Sequence, residues 1–287
     1  MSVLLFIAGI ALISGGLFGK KLASLGVDSD SVLKKHQKLL IGLLIAIALL
    51  LISLIIIDKF NLVTLLPKLF PTSFLLYLGA YYDKSILLTG FFCLGFLVGF
   101  ELRAKSSRQQ IRQLLVALGA ISFALSVLLY FLQPVDRFLG KSLIRDNVVI
   151  QTTEYTCAPS AIATLARYTK ISPQLTEKEA VKLTKTTISG TNTLTEIRAM
   201  KKLGMNPQYQ TNLTIKDLIN LNKPALLHVK EKNRNNQGVR FSHAVALLGI
   251  EPQQQLFIIG NPYYGLQIKT LDEMKNYWFG EAILVNL

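Results

Sequence analysis

The sequence predicts an all-α transmembrane domain of about four helices, followed by an α+β domain whose helices precede an antiparallel sheet. Three observations support this prediction. Long apolar runs fill the chain before about position 133, with few charges inside them. After about position 146, amphipathic helical segments come first, and short runs rich in Val, Ile and Leu, separated by turn residues, come later. Helices grouped before strands are typical of α+β domains.

Four apolar segments are long enough, with their flanks, for the roughly 17–25 residues that a bilayer helix needs. The predicted transmembrane domain, residues 1–132, has spans near 2–18, 39–57, 86–102 and 114–132. Residues 60–82 between them are apolar but contain Pro67, Lys68 and Pro71. Because a lysine is costly in hydrocarbon and prolines weaken a helix, we expect an interfacial or re-entrant element there.

Basic residues predict the orientation of these spans. Five lysines lie between the first two spans and four lysines or arginines between the last two, nine in all, against six on the other side. Loops rich in Lys and Arg stay in the cytoplasm. We therefore predict a multi-pass protein of a bacterial inner (plasma) membrane, with the C-terminal domain on the extracytoplasmic side. If residues 60–82 span the bilayer, that side reverses.

The composition argues against two classes of partner. The net charge is +14, but the basic residues either flank apolar segments or are scattered, which is unlike a nucleic-acid surface and fits a lipid bilayer as partner. The two cysteines, Cys93 and Cys157, have no metal-site spacing and suggest no disulfide framework. We expect no metal or cofactor, and we interpret Cys93 as a packed apolar residue.

The elements of the second part follow from periodicity and caps. Residues 133–146 are predicted to be a linker, and residues 147–287 one domain. Helices are predicted over 157–169, 176–184, 193–203 and 214–221, and strands over 225–230, 243–251, 255–260, 266–270 and 282–286.

The most informative motif places Cys157 at the start of the first of these helices, six residues after Gln151. The helix dipole and a nearby imidazole would lower the pKa of a thiol at that position, which favours a nucleophilic thiolate. Gln151 is a candidate side-chain donor to the oxyanion of a tetrahedral intermediate, with a polar loop residue as the alternative.

Only three histidines can serve as the base for this thiol. His36 belongs to a basic loop, and His228 lies inside a predicted strand, where a buried, satisfied residue is expected. His243 opens a strand after a polar loop and is the predicted base. Asn261 ends the next predicted strand and is the candidate to orient the imidazole; a turn residue before Pro262 is the alternative.

These residues, in this order, resemble the papain-like cysteine peptidases that remove double-glycine leaders from bacteriocin and pheromone precursors. The resemblance covers about residues 147–287 and implies an α+β papain-like fold. It implies Cys157 as nucleophile, His243 as base, Asn261 as orienter and Gln151 as oxyanion donor. Ala158 stands where that family usually has glycine, and Asn261 where it usually has aspartate.

Three functions follow as hypotheses. The first is a membrane-anchored cysteine peptidase acting through a Cys157 acyl-enzyme on a peptide or protein, with leader or precursor processing linked to secretion. The alternatives are a thiol acyltransferase that uses the same acyl-enzyme, and a catalytically weak peptide-binding module of a secretion or membrane complex. The 287 residues contain no G-x-x-x-x-G-K-[ST] loop, so we expect that the chain is not itself an ATP-driven transporter.

Overall fold

The computed structural model describes residues 2–25, 71–101, 108–232 and 240–286. The chain forms two compact units. One comprises residues 1–66 and 81–131, and the other comprises residues 67–80 and 132–287.

Three helices precede the second unit's sheet: α1 (Ser2–Ser24), α2 (Thr72–Glu101) and α3 (Arg108–Phe131). Within the described residues, one segment, Leu4–Ser24 of α1, is long and apolar enough to cross a membrane. Shorter apolar stretches lie at Lys84–Phe100 in α2 and Ile121–Phe131 in α3. The domain of four spanning helices therefore stays a prediction.

The helices can be compared with the predicted spans. Three of the four predicted spans coincide with helices: 2–18 with α1, 86–101 with α2 and 114–131 with α3. The fourth predicted span, 39–57, lies outside the described residues. For the predicted interfacial element, residues 60–70 also lie outside them, but 72–82 are the first turns of α2. Residues 72–82 are therefore helical and continuous with the predicted span, and their interfacial or re-entrant position stays a prediction. Pro71 does not interrupt the helix because it immediately precedes the helix start, where a missing N–H costs nothing.

Small residues let α1 and α2 approach backbone to backbone. Gly15 and Gly19 on α1 lie against the backbone of Phe92 and Phe96 on α2. Gly95 and Gly99 on α2 lie against the backbone of Gly16 on α1, and each of these two glycine pairs has four-residue spacing. A Cβ atom on Gly15 would overlap the carbonyl of Phe92, so no larger residue fits there. This is the packing that small-xxx-small motifs give to helices in lipid.

The second unit is an α+β domain, as predicted, with its helices first and an antiparallel sheet last. Its helices are α4 (Cys157–Tyr168), α5 (Glu177–Thr184), α6 (Thr193–Lys202), α7 (Ile215–Leu221) and α8 (Leu271–Lys275). Its strands are β1 (Leu143–Arg145), β2 (Val148–Ile150), β3 (Pro207–Gln210), β4 (Ala225–Lys232), β5 (Arg240–Glu251), β6 (Leu256–Asn261), β7 (Gly265–Thr270) and β8 (Trp278–Val285). β1 and β2 form a hairpin, and the other strands form one sheet in the order β3-β8-β4-β5-β6-β7. Sequence reasoning missed β1, β2 and β3.

The two faces of the large sheet carry separate apolar clusters. Helix α4 packs on the face that contains Leu226 and Ala246, while the opposite face contains Val245 and Phe257. His228 pairs with Ala244 and Val229 pairs with His243. Because neighbouring residues of a strand point to opposite faces, the two histidines leave opposite faces of the sheet.

Residues 133–146, predicted to be a linker, are instead attached to the second unit. The N–H of buried Val135 donates to the carbonyl of Thr186 at 3.1 Å, and the N–H of Ile188 donates to the carbonyl of Gln133 at 3.0 Å. The strand Leu143–Arg145 then pairs with β2. Burial of Val135 and these hydrogen bonds explain why the segment is ordered, and the folded unit begins before residue 147.

Candidate active site

A buried carboxylate fixes the loop that precedes the candidate nucleophile. Glu177, at the start of α5, is 1% exposed, and its Oε1 accepts the Thr152 N–H at 2.8 Å and the Thr156 hydroxyl at 2.6 Å. Hydrogen bonds to a charged acceptor are stronger than those between neutral groups. Glu177 therefore holds both ends of the turn that delivers Cys157 to the first position of α4.

Cys157 is half-buried at the N-terminus of α4. Burial raises the pKa of its thiol, because a thiolate would lose hydration there, and the N–H groups of Ala244 and Ala158 oppose this by less. The expectation of a lowered pKa at Cys157 is therefore wrong for the protein without substrate. The effect of the helix N-terminus is present but smaller than the effect of desolvation.

The candidate base and its orienter are in direct contact. His243 Nε2 lies 3.0 Å from Asn261 Oδ1, and both side chains are buried. An amide oxygen only accepts, so Nε2 carries the hydrogen and the neutral imidazole keeps Nδ1 as an acceptor. Burial lowers the pKa of His243, while the hydrogen bond to Asn261 and the charge of Glu231 oppose that shift.

The thiol lies beside the backbone of the residue after this histidine. The backbone N–H of Ala244 lowers the pKa of the Cys157 thiol, which sets the thiol near β5, and the charged side chains that act on it are Glu196 and His228. No direct hydrogen bond joins Sγ to the imidazole in the described part of the chain. The structure thus brings His243 and Asn261 into contact and sets Cys157 near the backbone of Ala244, the residue that follows His243.

Gln151 is hydrogen-bonded to the residue that follows Asn261. Its N–H donates to the carbonyl of Pro262 at 2.9 Å, and its side-chain Nε2 donates to the carbonyl of Thr153 at 2.9 Å. Since an amide nitrogen carries two hydrogens, one remains for an oxyanion. An open cleft of about 350 Å³ adjoins the residue, lined by Gln151, Thr152, Thr153, Glu154 and Tyr263.

His228 has a different environment. Its Nε2 lies 2.9 Å from Glu196 Oε2 and its Nδ1 lies 2.9 Å from Glu281 Oε1. Burial would lower the pKa of His228, but the two carboxylates outweigh it and hold that pKa well above its ordinary value. Both ring nitrogens are occupied, as expected for a satisfied strand residue, so neither is available to accept a proton from the thiol.

Four polar residues that support these groups were missed by sequence reasoning: Glu177, Glu196, Glu231 and Tyr277. A signal existed for Glu231, because it continues the inward-facing alternation of Leu227 and Val229 along β4, where a charged residue is unexpected. Among the residues that the structure describes, no group of three or more His, Cys, Asp and Glu side chains is arranged to hold a metal ion.

Comparisons with known proteins identify the family of this domain. Residues 145–287 match the model of the Peptidase C39 family. No curated protein matches the chain. Three crystal structures resemble the chain.

The first is a double glycine motif protease from an AMS/PCAT transporter in complex with the leader peptide (TM-score 0.40, 16% identity, covering 51% of this chain and 91% of that one). The second is the peptidase domain of Streptococcus mutans ComA (TM-score 0.37, 24% identity, covering 49% and 99%). The third is the peptidase domain of Streptococcus ComA, a bifunctional ABC transporter involved in a quorum sensing pathway (TM-score 0.39, 23% identity, covering 51% and 98%). The family match confirms the resemblance read from the motifs, and residues 145–287 of this chain are a cysteine peptidase domain of the Peptidase C39 family.

Proposed function

We propose that this protein is a membrane-anchored cysteine peptidase that cleaves a peptide or protein precursor through an acyl-enzyme on Cys157. The observation that carries the proposal is the 3.0 Å contact between His243 Nε2 and Asn261 Oδ1, together with the placement of the thiol beside the next residue of β5. A base with a fixed tautomer next to a thiol is what nucleophilic catalysis requires.

The proposed reaction begins from a neutral thiol. As Cys157 Sγ attacks the scissile carbonyl carbon, His243 Nδ1 takes the thiol proton and the carbonyl π electrons move to oxygen. The imidazolium then protonates the leaving amine as the carbon–nitrogen bond breaks, leaving a thioester. Water, deprotonated by His243, attacks the thioester; its collapse releases the carboxylic acid and returns the proton to sulfur.

The oxyanion that forms in both steps needs donors. We assign the backbone N–H of Cys157 and the second side-chain hydrogen of Gln151 to this role. Asn261 accepts from Nε2–H throughout, so that the protonated ring keeps its orientation.

The proposed substrate is an exported peptide precursor with a double-glycine-type leader, cleaved at the extracytoplasmic surface of a bacterial inner membrane. Family membership supports the substrate class. The apolar helix segment Leu4–Ser24 supports an anchor in the bilayer. An anchored site would meet its substrate, and the secretion complex that exports it, at the membrane surface.

The direct test is cleavage of a synthetic precursor by the full chain in nanodiscs, followed by mass spectrometry. We expect hydrolysis after Gly-Gly, and loss of at least about 10⁴-fold in kcat/KM for Cys157→Ala. Cys93→Ser is the matched control and should keep wild-type activity. Wild-type rates in Cys157→Ala would end the proposal, and products that carry an added amine or lipid would show acyl transfer instead of hydrolysis.

The oxyanion assignment has its own test. Gln151→Ala should lower kcat by about 10²–10³-fold with a small change in KM, because the lost hydrogen bond belongs to the transition state. Gln254→Ala, in the exposed turn after β5, is the matched control. An unchanged kcat in Gln151→Ala would remove this residue from the mechanism.

The side of the membrane can be tested with the single-thiol variant Cys93→Ser. A membrane-impermeant maleimide should label Cys157 in intact cells. Because the thiol is half-buried, lysed cells provide the control for accessibility. Labelling only after lysis would place the peptidase domain in the cytoplasm.

A further inference from the structure

Asn261 has a second end, and that end contacts a buried carboxylate. Its Oδ1 faces His243, and its Nδ2 donates to Glu231 Oε2 at 2.7 Å. Glu231 lies on β4, thirty residues before Asn261, and is 5% exposed. The three side chains form a continuous chain from imidazole to amide to carboxylate inside the domain.

Three donors hold the Glu231 carboxylate in place. Besides Asn261 Nδ2, the hydroxyl of Tyr277 donates to Oε2 at 2.7 Å and the N–H of Lys232 donates to Oε1 at 3.0 Å. Burial and the neighbouring Glu231 raise the pKa of Tyr277 far above its ordinary value, so the phenol keeps the proton that it donates. A buried carboxylate is costly unless donors satisfy it, and these three hydrogen bonds stabilise Glu231 at its position in the site.

The carboxylate decides which way the amide of Asn261 points. A carboxylate accepts hydrogen bonds and cannot donate, so only the NH₂ end of Asn261 can face Glu231. A flipped amide would set two acceptors against each other in a buried space. The N–H of Tyr263 donates to Oδ1 at 2.9 Å and favours the same orientation.

The orientation of the amide decides the tautomer of the base. With Oδ1 toward Nε2, the hydrogen of the neutral ring sits on Nε2, and Nδ1 is left to take the thiol proton. With the amide reversed, Nε2 would have to accept, and the ring hydrogen would move to Nδ1, the nitrogen that must act as the base. A wrong tautomer disables the equivalent step in other triads by about 10⁴-fold.

We propose that Glu231 is a positioning residue of the peptidase reaction, acting through Asn261 to fix the tautomer of His243 and to supply the negative charge that the neutral orienter lacks. This inference rests on the proposed function in one respect, the role of His243 as the base. It gives a reason why an asparagine serves at position 261, where the resembled family usually has aspartate: the carboxylate stands one residue further from the ring.

The first test is a double-mutant cycle in the full chain in nanodiscs, with the precursor cleavage assay. Glu231→Gln should lower kcat by about 10–100-fold, the range found for partners that act through another ligand. Asn261→Asp should also lower kcat, because it sets two carboxylates in contact at the position of the present 2.7 Å hydrogen bond.

The sign of the interaction energy between the two substitutions distinguishes the proposal from general damage to the fold. Adding Glu231→Gln to Asn261→Asp should raise kcat above that of Asn261→Asp alone, because the glutamine amide can donate to the new aspartate. Glu251→Gln, at the exposed end of β5, is the matched control and should leave both backgrounds unchanged. Equal losses from Glu231→Gln in both backgrounds, the sign of general damage to the fold, would overturn the proposal.

The second test does not depend on any substrate. The chain has three histidines, so the ring of His243 can be followed by NMR in the isotope-labelled full chain. Glu231→Gln should lower the pKa of His243 further, because a charge that favours the imidazolium is lost, and should admit the Nδ1–H tautomer. An unshifted His243 with the Nε2–H tautomer intact would overturn the inference even if cleavage were reduced. A shifted His243 in a protein without thiol-dependent cleavage would support the relay while the proposed function failed.

Discussion

Two histidines lie on adjacent strands of one sheet, one residue out of register, and their surroundings have opposite chemistry. His228 has a carboxylate on each ring nitrogen, which holds its pKa well above the ordinary value. His243 has one neutral amide on Nε2, and burial holds its pKa below the ordinary value.

The difference lies in what each ring can do with a proton. A base must be neutral at working pH and must have an acceptor nitrogen directed at the group that it deprotonates. His228 meets neither condition, because it is a cation whose two N–H groups are engaged. His243 has a lowered pKa and keeps Nδ1 as an acceptor, and the charge that favours its protonated form is set one group away, on Glu231.

The largest expected effect separates the two residues by activity. His243→Ala should lower kcat/KM by at least about 10⁴-fold, since loss of the base leaves a neutral thiol with no route for its proton. His228→Ala should keep activity within about tenfold per folded molecule, as it has no free nitrogen to contribute. Cleavage rates normalised to folded protein decide this, and equal losses in both variants would erase the distinction.

Stability should show the reverse order. His228→Gln leaves Glu196, which is 2% exposed, without its cation, and should destabilise the domain by on the order of 3 kcal/mol. His243→Gln loses one hydrogen bond and should cost about 1 kcal/mol. Thermal unfolding of the full chain in detergent measures the ranking, and the double variant Glu196→Gln, His228→Gln should cost less than the sum of its parts. A more stable His228→Gln protein would contradict a stabilising role for these ion pairs.

The pH dependence of stability should have opposite signs at the two sites. The raised pKa of His228 gives stability that is complete below the unfolded value of about 6.5 and is lost as pH rises through the higher folded pKa. The lowered pKa of His243 gives a contribution that is present above about 6.5 and is lost as pH falls through the lower folded pKa. Melting temperatures between pH 5 and 9 should therefore lose their alkaline decline in His228→Gln and soften their acid decline in His243→Gln. Unchanged slopes in both variants would contradict the assignments.

The smallest expected effect concerns the thiol. Because burial raises the pKa of Cys157, and Glu196 opposes the attraction of His228, alkylation by iodoacetamide in the Cys93→Ser background should keep accelerating above about pH 9. A plateau already reached near neutral pH would reveal a preformed thiolate. A substrate-like peptide should speed alkylation of Cys157 if its binding brings the imidazole of His243 into contact with the thiol.

Much of the peptidase domain could be predicted from the sequence because the signals are local. Periodicity and capping residues place the five main predicted strands and four helices close to their observed positions, and the thiol falls at the N-terminus of α4 as expected. The contact between His243 and Asn261 could be predicted because His243 lies near the start of one strand and Asn261 at the end of the next. In an antiparallel pair these two ends are adjacent. Their roles in catalysis, with those of Cys157 and Gln151, stay predictions.

Other features could not be predicted because they depend on contacts between residues far apart in the chain. The hydrogen bonds and burial of residues 133–146 were not predicted, since no local pattern shows that Val135 is buried against the loop after α5. The continuity of residues 72–82 with α2 was not predicted, since a proline at a helix start looks the same in sequence as one that ends a helix. The thiol pKa was wrong in direction, since burial depends on how α4 packs on the sheet.

The sequence by itself determined the order of the elements, the family and the small set of chemically competent residues, because few cysteines and histidines are present and local patterns fix helices and strands. Only the tertiary structure decided which histidine is a fixed cation and which is a neutral acceptor. That choice depends on where Glu196, Glu281 and Glu231 arrive after folding, and the interaction of a buried charge is set by distance and desolvation, neither of which is written in local sequence.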